Sequence, residues 1–172
     1  MRTKVFLLFF VPLIFMLPAC SYKLSLDGST IPLQLKTINV MFFENTAPLV
    51  VNNLSQLFTE ALKERVRSQT RLSMVRGEAD ATLEGQITGY GIAPASVQAT
   101  SDNRAPIAGL TRLTITVKVK YTNIANKKQN FEESFSRFKD FSGDLGSQEQ
   151  ALILDINKQL TEDIFNRAFN NW

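Results

Sequence analysis

Apolar residues change period along this chain, and the changes mark out its elements. From Thr37 to Phe43, Ile38, Val40 and Phe42 fall on one side and Asn39 and Met41 on the other, the alternation of a strand. Glu44-Asn45-Thr46-Ala47-Pro48 follows as a turn. The period then lengthens: Leu54, Leu57, Phe58, Ala61, Leu62 and Val66 recur at steps of three and four, which predicts an amphipathic helix over 51–68, capped by Asn52 or Asn53. Arg71 to Val75 fits a short strand. Ala81, Leu83, Gly85 and Ile87 then alternate with Thr82, Glu84, Gln86 and Thr88 in a strand ending near Ile92. Pro94 to Gly109, rich in Pro, Ser, Asp and Asn, reads as a long loop, functional or disordered. The clearest strand comes next. From Thr111 to Tyr121 the odd positions Leu113, Ile115, Val117, Val119 and Tyr121 are apolar, while Arg112, Thr114, Thr116, Lys118 and Lys120 take the even ones. After a polar turn over Asn123–Asn130, Phe131–Phe141 forms another strand, in which a bulge near Arg137 would bring Phe138 and Phe141 into step. Ser147-Gln148-Glu149-Gln150 matches a capping box with Ser147 as the cap. It opens a helix to about Asn170 whose stripe is Ile153, Ile156, Leu160, Ile164 and Ala168, widened by Phe165 and Phe169.

The resulting order, β-α-β-β-β-α, predicts an α+β fold: a mixed, about four-stranded sheet with two helices packed on one face. It fits a single domain over 36–172.

What precedes that domain has another character. Arg2 and Lys4 lead an apolar run from Val5 to Met16, far short of the roughly 20 residues that span a bilayer, so 1–19 reads as a signal peptide. It ends in Leu17-Pro18-Ala19-Cys20, and Cys20 is the one cysteine of the chain. The four residues resemble a bacterial lipobox, which implies cleavage before Cys20, acylation of that residue and a lipid-anchored protein. Several acyl chains give stable anchoring where one is marginal. In such lipoproteins an aspartate after the cysteine favours the inner membrane; Ser21 here points to the outer membrane. Residues 20–35 then serve as a tether, or pair at a sheet edge through Tyr22, Leu24 and Leu26.

Without 1–19 the basic residues fall from 19 to 17 against 16 acidic ones, so the formal charge drops from +3 to +1 and gives no reason to expect nucleic acid as a partner. Histidine is absent, removing the commonest general base and metal ligand. No nucleophile elbow or phosphate loop is present, and none of Glu84, Asp102, Glu132 and Asp140 is marked as one of a catalytic pair. The sequence points to a binding protein without cofactor or metal, not an enzyme.

Three stretches carry a more specific resemblance: Ala79-Asp80-Ala81-Thr82-Leu83-Glu84-Gly85-Gln86-Ile87, the alternating strand after the long loop, and the ending Leu160-Thr161-Glu162-Asp163-Ile164-Phe165-Asn166-Arg167-Ala168-Phe169-Asn170-Asn171-Trp172. With the lipobox and the element order they resemble the LptE family of lipopolysaccharide-assembly lipoproteins. The resemblance implies a plug in the lumen of the outer-membrane barrel LptD, on the periplasmic side of the outer membrane, that assists assembly of the barrel and binds lipopolysaccharide on its way to the outer leaflet. That ligand carries phosphates and sugar carboxylates, for which the candidate contacts are Arg104 in the loop and Arg112, Lys118 and Lys120 on one strand face. Trp172 either docks on the barrel wall or caps the last helix. The rival functions are an accessory lipoprotein of another envelope machine, such as barrel assembly, and a periplasmic hydrolase.

Overall fold

A computed structural model describes residues 34–49, 51, 53–98 and 107–170, the side chains of 96–98, 107 and 108 excepted. Cys20, Asp102, Arg104 and Trp172 lie outside the described residues. In chain order the elements are β1 (Thr37–Val40), β2 (Glu44–Asn45), α1 (Leu54–Gln69), β3 (Ser73–Met74), β4 (Ala81–Gln98), β5 (Ile107–Asn123), a single 3₁₀ turn (Lys127–Gln129), β6 (Phe131–Phe141) and α2 (Glu149–Phe169). The class is α+β, with six strands where about four were expected. The strands beyond those four are β2 and β3, only two residues each, and β3 falls within the short strand read at Arg71–Val75.

The sheet runs β3-β1-β4-β5-β6, with β2 also pairing β4. β1 lies parallel to β3 and β4, β2 lies parallel to β4, and β4, β5 and β6 form an antiparallel meander. The short strands are seated by side chains. Asp80 receives the backbone N–H groups of Lys36 (3.0 Å) and Thr37 (2.8 Å) and the Thr37 hydroxyl (2.8 Å), which pins the start of β1 to the start of β4.

Both helices cover one face of the sheet. In α1, Leu54, Phe58, Leu62 and Val66 stand four residues apart and are fully buried, each stabilising the fold by roughly 1.5–3 kcal/mol. In α2, Ile153, Ile156, Leu160 and Ile164 are buried in the same way. They meet Leu83 and Ile87 from β4 and the odd positions of β5, where Leu113, Ile115, Val117 and Val119 are fully enclosed. An aromatic cluster closes one end: Tyr121 lies 5.6 Å from Phe131 and 5.8 Å from Phe169, ring centre to ring centre.

Five local expectations are corrected. The strand at Thr37 ends at Val40, and the irregular step that follows shifts parity, so Phe43 is buried while Phe42 is exposed. Glu44 and Asn45, read as turn residues, pair with Gln86 and Ile87 as β2. The presumed loop over 94–109 is strand at both ends, because β4 continues to Gln98 and β5 starts at Ile107, while 99–106 lie outside the described residues. Near Arg137 there is no bulge, and the β5–β6 register runs unbroken from Thr111 opposite Phe141 to Tyr121 opposite Phe131. Phe131, Phe135 and Phe141 already share one parity, and only Phe138 faces the other way. The irregularities sit in β4 instead, one of them between Ile87 and Gly89. That extra residue turns Tyr90 into the core, where its hydroxyl donates to Glu149 of α2 at 2.6 Å. Finally, Ser147 does not cap α2: Gln148 holds the cap position without a side-chain cap bond, while the Ser147 amide and hydroxyl donate to Asp144. Asn53 does occupy the cap position of α1, in the left-handed conformation that asparagine tolerates (φ 65°).

Edge strand β6 shows how charge can sit on an inward face. Between its phenylalanines stand Glu133, Arg137 and Lys139, and each meets a partner on α2: Arg167 at 2.7 Å, Asp163 at 2.7 Å and Asp155 at 2.8 Å. Inward-pointing charges of this kind keep an edge from recruiting a foreign strand.

Candidate functional site

The face of the sheet away from the helices is polar. Strand alternation places Thr82, Glu84 and Gln86 from β4 beside Arg112, Thr114, Thr116, Lys118 and Lys120 from β5 and Glu132, Ser134, Ser136, Phe138 and Asp140 from β6. Pairing by register then decides what each charge meets. Glu84 lies directly opposite Lys120, and their side chains form an ion pair of 2.7 Å. Lys118 reaches diagonally to Glu132 at 2.6 Å. Arg112 sits opposite Asp140 and donates to both carboxylate oxygens, at 2.7 and 2.9 Å. Its guanidinium carbon also lies 3.7 Å from the centre of the Phe138 ring.

Three of the four candidate cations therefore share a face, in two separate places. Lys118 and Lys120 form one group with Glu84 and Glu132. Arg112 is six residues away along β5, about 20 Å at the rise of a strand. Each of the three holds a carboxylate, Lys120 that of Glu84, Lys118 that of Glu132 and Arg112 that of Asp140, a pairing that sequence reasoning misses. These partners leave their mark on protonation. The hydrogen bond from Lys118 holds the Glu132 carboxyl below the usual carboxylate range, and Arg112 does the same to Asp140. Glu84 in turn raises the Lys120 ammonium, and Asp140 the Arg112 guanidinium.

Beside the lysine group lies a shallow depression of about 530 Å³, bounded by Met41, Phe42, Glu44, Glu84, Lys118, Lys120 and Glu132. Met41 is 45% exposed and Phe42 58%, so the depression has an apolar part beside its two lysines and three carboxylates. Such a surface can hold an amphiphile with an anionic head. A second crevice, of about 280 Å³, runs between α1 and α2 beside Arg65, Asn157, Lys158 and Thr161. Arg65 straps it, donating to the Thr161 hydroxyl at 3.3 Å and the Lys158 carbonyl at 3.2 Å. Among the described residues no group of three or more His, Cys, Asp or Glu is placed to hold a metal ion, and no helix is long and apolar enough to cross a membrane.

Protonation also bears on stability. Asp80 is held below the ordinary carboxylate range by the Lys36 amide, the Thr37 hydroxyl and the Thr37 amide, and Asp155 by Lys139. With Glu132 and Asp140, these are acids whose pKa is lower in the folded chain than in the unfolded one. Their stabilisation is complete above the unfolded values, near pH 4, and is lost as pH falls through the folded ones. Denaturant midpoints should hold level from pH 7 to about 5 and fall modestly below about 4, because these carboxylates are exposed and screened, and the fall should be smaller in Asp80→Asn.

The fold resembles known structures at low identity. The hypothetical protein CT253 from Chlamydia trachomatis aligns with a TM-score of 0.53 at 12% identity, over 77% of this chain and 94% of that one. A minor lipoprotein from Acinetobacter baumannii gives 0.51 at 12% identity, over 78% and 93%. No curated protein matches the sequence. One family model does, that of LptE, lipopolysaccharide-assembly, over residues 35–168, which takes in every element from β1 into the last turn of α2. The chain belongs to the LptE family.

Proposed function

We propose that this protein is the lipoprotein subunit of the lipopolysaccharide translocon. It is anchored at Cys20 in the outer membrane, sits within the LptD barrel as a plug, assists assembly of the barrel and contacts lipopolysaccharide as it passes. The role is one of binding and support without catalysis. The family match carries the assignment to lipopolysaccharide assembly. Within it, the observation that favours a plug is the division of the sheet: the helices cover one face, and the other is mostly polar, with Phe138 as an apolar exception. Barrel interiors are polar and wet, so a lumenal partner needs a hydrophilic face held on a rigid scaffold.

Lys118 and Lys120 are the lipopolysaccharide contacts we favour, because they flank the amphipathic depression. Arg112 is the weaker candidate, being held by Asp140 and Phe138 together. Lys118→Glu combined with Lys120→Glu should lower lipopolysaccharide affinity about tenfold or more, with an unchanged helical signal in circular dichroism. Full binding by a folded double variant would remove these residues from the site. The LptD partnership is tested separately, by co-purification with the barrel.

A further inference from the structure

The lysines that suit an anion are already occupied, and by the protein itself. Glu84–Lys120 and Glu132–Lys118 lie side by side across three strands, at 2.7 and 2.6 Å, and form one rim of the depression. Both pairs are open to water: the lysine side chains are 53% and 48% exposed and the glutamates 37% and 52%. Exposed ion pairs contribute little to stability, so these can exchange partners without cost to the fold. Arg112 differs, because two hydrogen bonds and an aromatic ring hold it in place. The exchangeable pairs also have an apolar neighbour, since Met41 and Phe42 line the same depression, with Glu44 as a third carboxylate beside them.

We propose that Glu84 and Glu132 are built-in competitors for the ligand anion: they occupy Lys120 and Lys118 in the free protein and yield to a phosphate of a phosphorylated, acylated glycolipid, whose apolar part lies along Met41 and Phe42. The inference rests on the reading of this face as the lipopolysaccharide contact and adds which end of the molecule docks there. A phosphate carries more charge than a carboxylate and offers three acceptor oxygens, so it can engage both ammonium groups at once. The displaced glutamates remain beside the site and take the lysines back when the ligand leaves. Binding is thereby kept weak and reversible, as a subunit that passes its cargo onward requires. Salt weakens the internal pairs together with the ligand contacts, so the salt dependence of binding is blunted.

The test is the full-length chain carrying Glu84→Gln and Glu132→Gln, titrated with purified lipopolysaccharide and with the same material after removal of its phosphates. Affinity for the phosphorylated form should rise roughly threefold to tenfold and its salt dependence steepen, with no gain for the dephosphorylated form. Phe42→Ser should weaken binding of the acylated ligand and leave that of its deacylated form unchanged. If the glutamine variant binds no more tightly while Lys118→Glu with Lys120→Glu still weakens binding, the contact stands and the competitor role is overturned. If neither pair of changes alters binding, this face is not the contact and both proposals fall. An equal gain for phosphorylated and dephosphorylated ligand would also overturn the assignment of a phosphate to the lysines.

Discussion

Gly85→Ala is expected to cost about 3 kcal/mol or more, a large share of the about 5–15 kcal/mol that holds an ordinary domain folded. Gly85 lies on the inward face of β4 opposite Val119, between Leu83 and Ile87. A Cβ there would overlap the carbonyl oxygen of Lys118 and stand 2.7 Å from the ring of Phe43. Neither neighbour can give way. The carbonyl belongs to the backbone of the central antiparallel pair. Phe43 is fully buried, packs edge-on against Phe58 at 5.1 Å, and donates its backbone amide to the Thr59 hydroxyl at 3.1 Å. The missing side chain thus makes room for an aromatic ring that ties the β1–β2 connection to α1. Gly91→Ala is the control, since a Cβ there meets nothing within 4 Å, and it should be neutral. Denaturant unfolding of the two variants distinguishes a general intolerance of alanine in β4 from this specific overlap. Equal stability of both would contradict the packing described.

Asn157→Leu has the opposite sign and is expected to stabilise the domain by about 1–2 kcal/mol. Asn157 is 1% exposed on α2, and neither atom of its amide has a hydrogen-bond partner among the described residues. A buried polar group without a partner costs roughly 1–3 kcal/mol, and leucine matches asparagine in length and branching without that penalty. The melting temperature should rise by several degrees, following the usual scaling for a domain of this size. Ala61 and Leu154 line the same crevice and offer apolar neighbours to a leucine there. A fall in melting temperature would show that the Asn157 amide is satisfied in solution.

Where one rule of alternation runs without interruption, the fold could be read directly. β5 is the example: its odd residues are buried and its even residues form the polar face, as the pattern alone requires. The stripes of both helices were legible for the same reason. Legibility failed wherever a single residue changes parity. Thr88 turns the inward side from Ile87 to Tyr90, and the only trace in sequence is an apolar residue on the wrong parity next to a glycine. Phe138 misled in the other direction, being apolar on the polar face because Arg112 stacks on it. Composition misled at Pro94, which belongs to a strand; a register shift between Pro94 and Ser96 marks the kind of irregularity where a strand tolerates proline. The ion pairs were invisible for a deeper reason. Glu84 and Lys120 are 36 positions apart, and only the register of β4 against β5 brings them together.

Lys118 and Lys120 thus have a double character, cations by sequence and paired by structure. If the proposed role is right, their face works inside a barrel. The most direct test is to produce the full-length chain together with the LptD barrel, extract both from the outer membrane in mild detergent and separate the complexes by size. We expect a stable complex of one copy of each, in which cross-linkers placed at Gln86 and Thr116 on the polar face reach the barrel wall while one at Glu64 on α1 reaches it less. A chain that elutes alone, with the barrel assembled and folded without it, would contradict the proposed role.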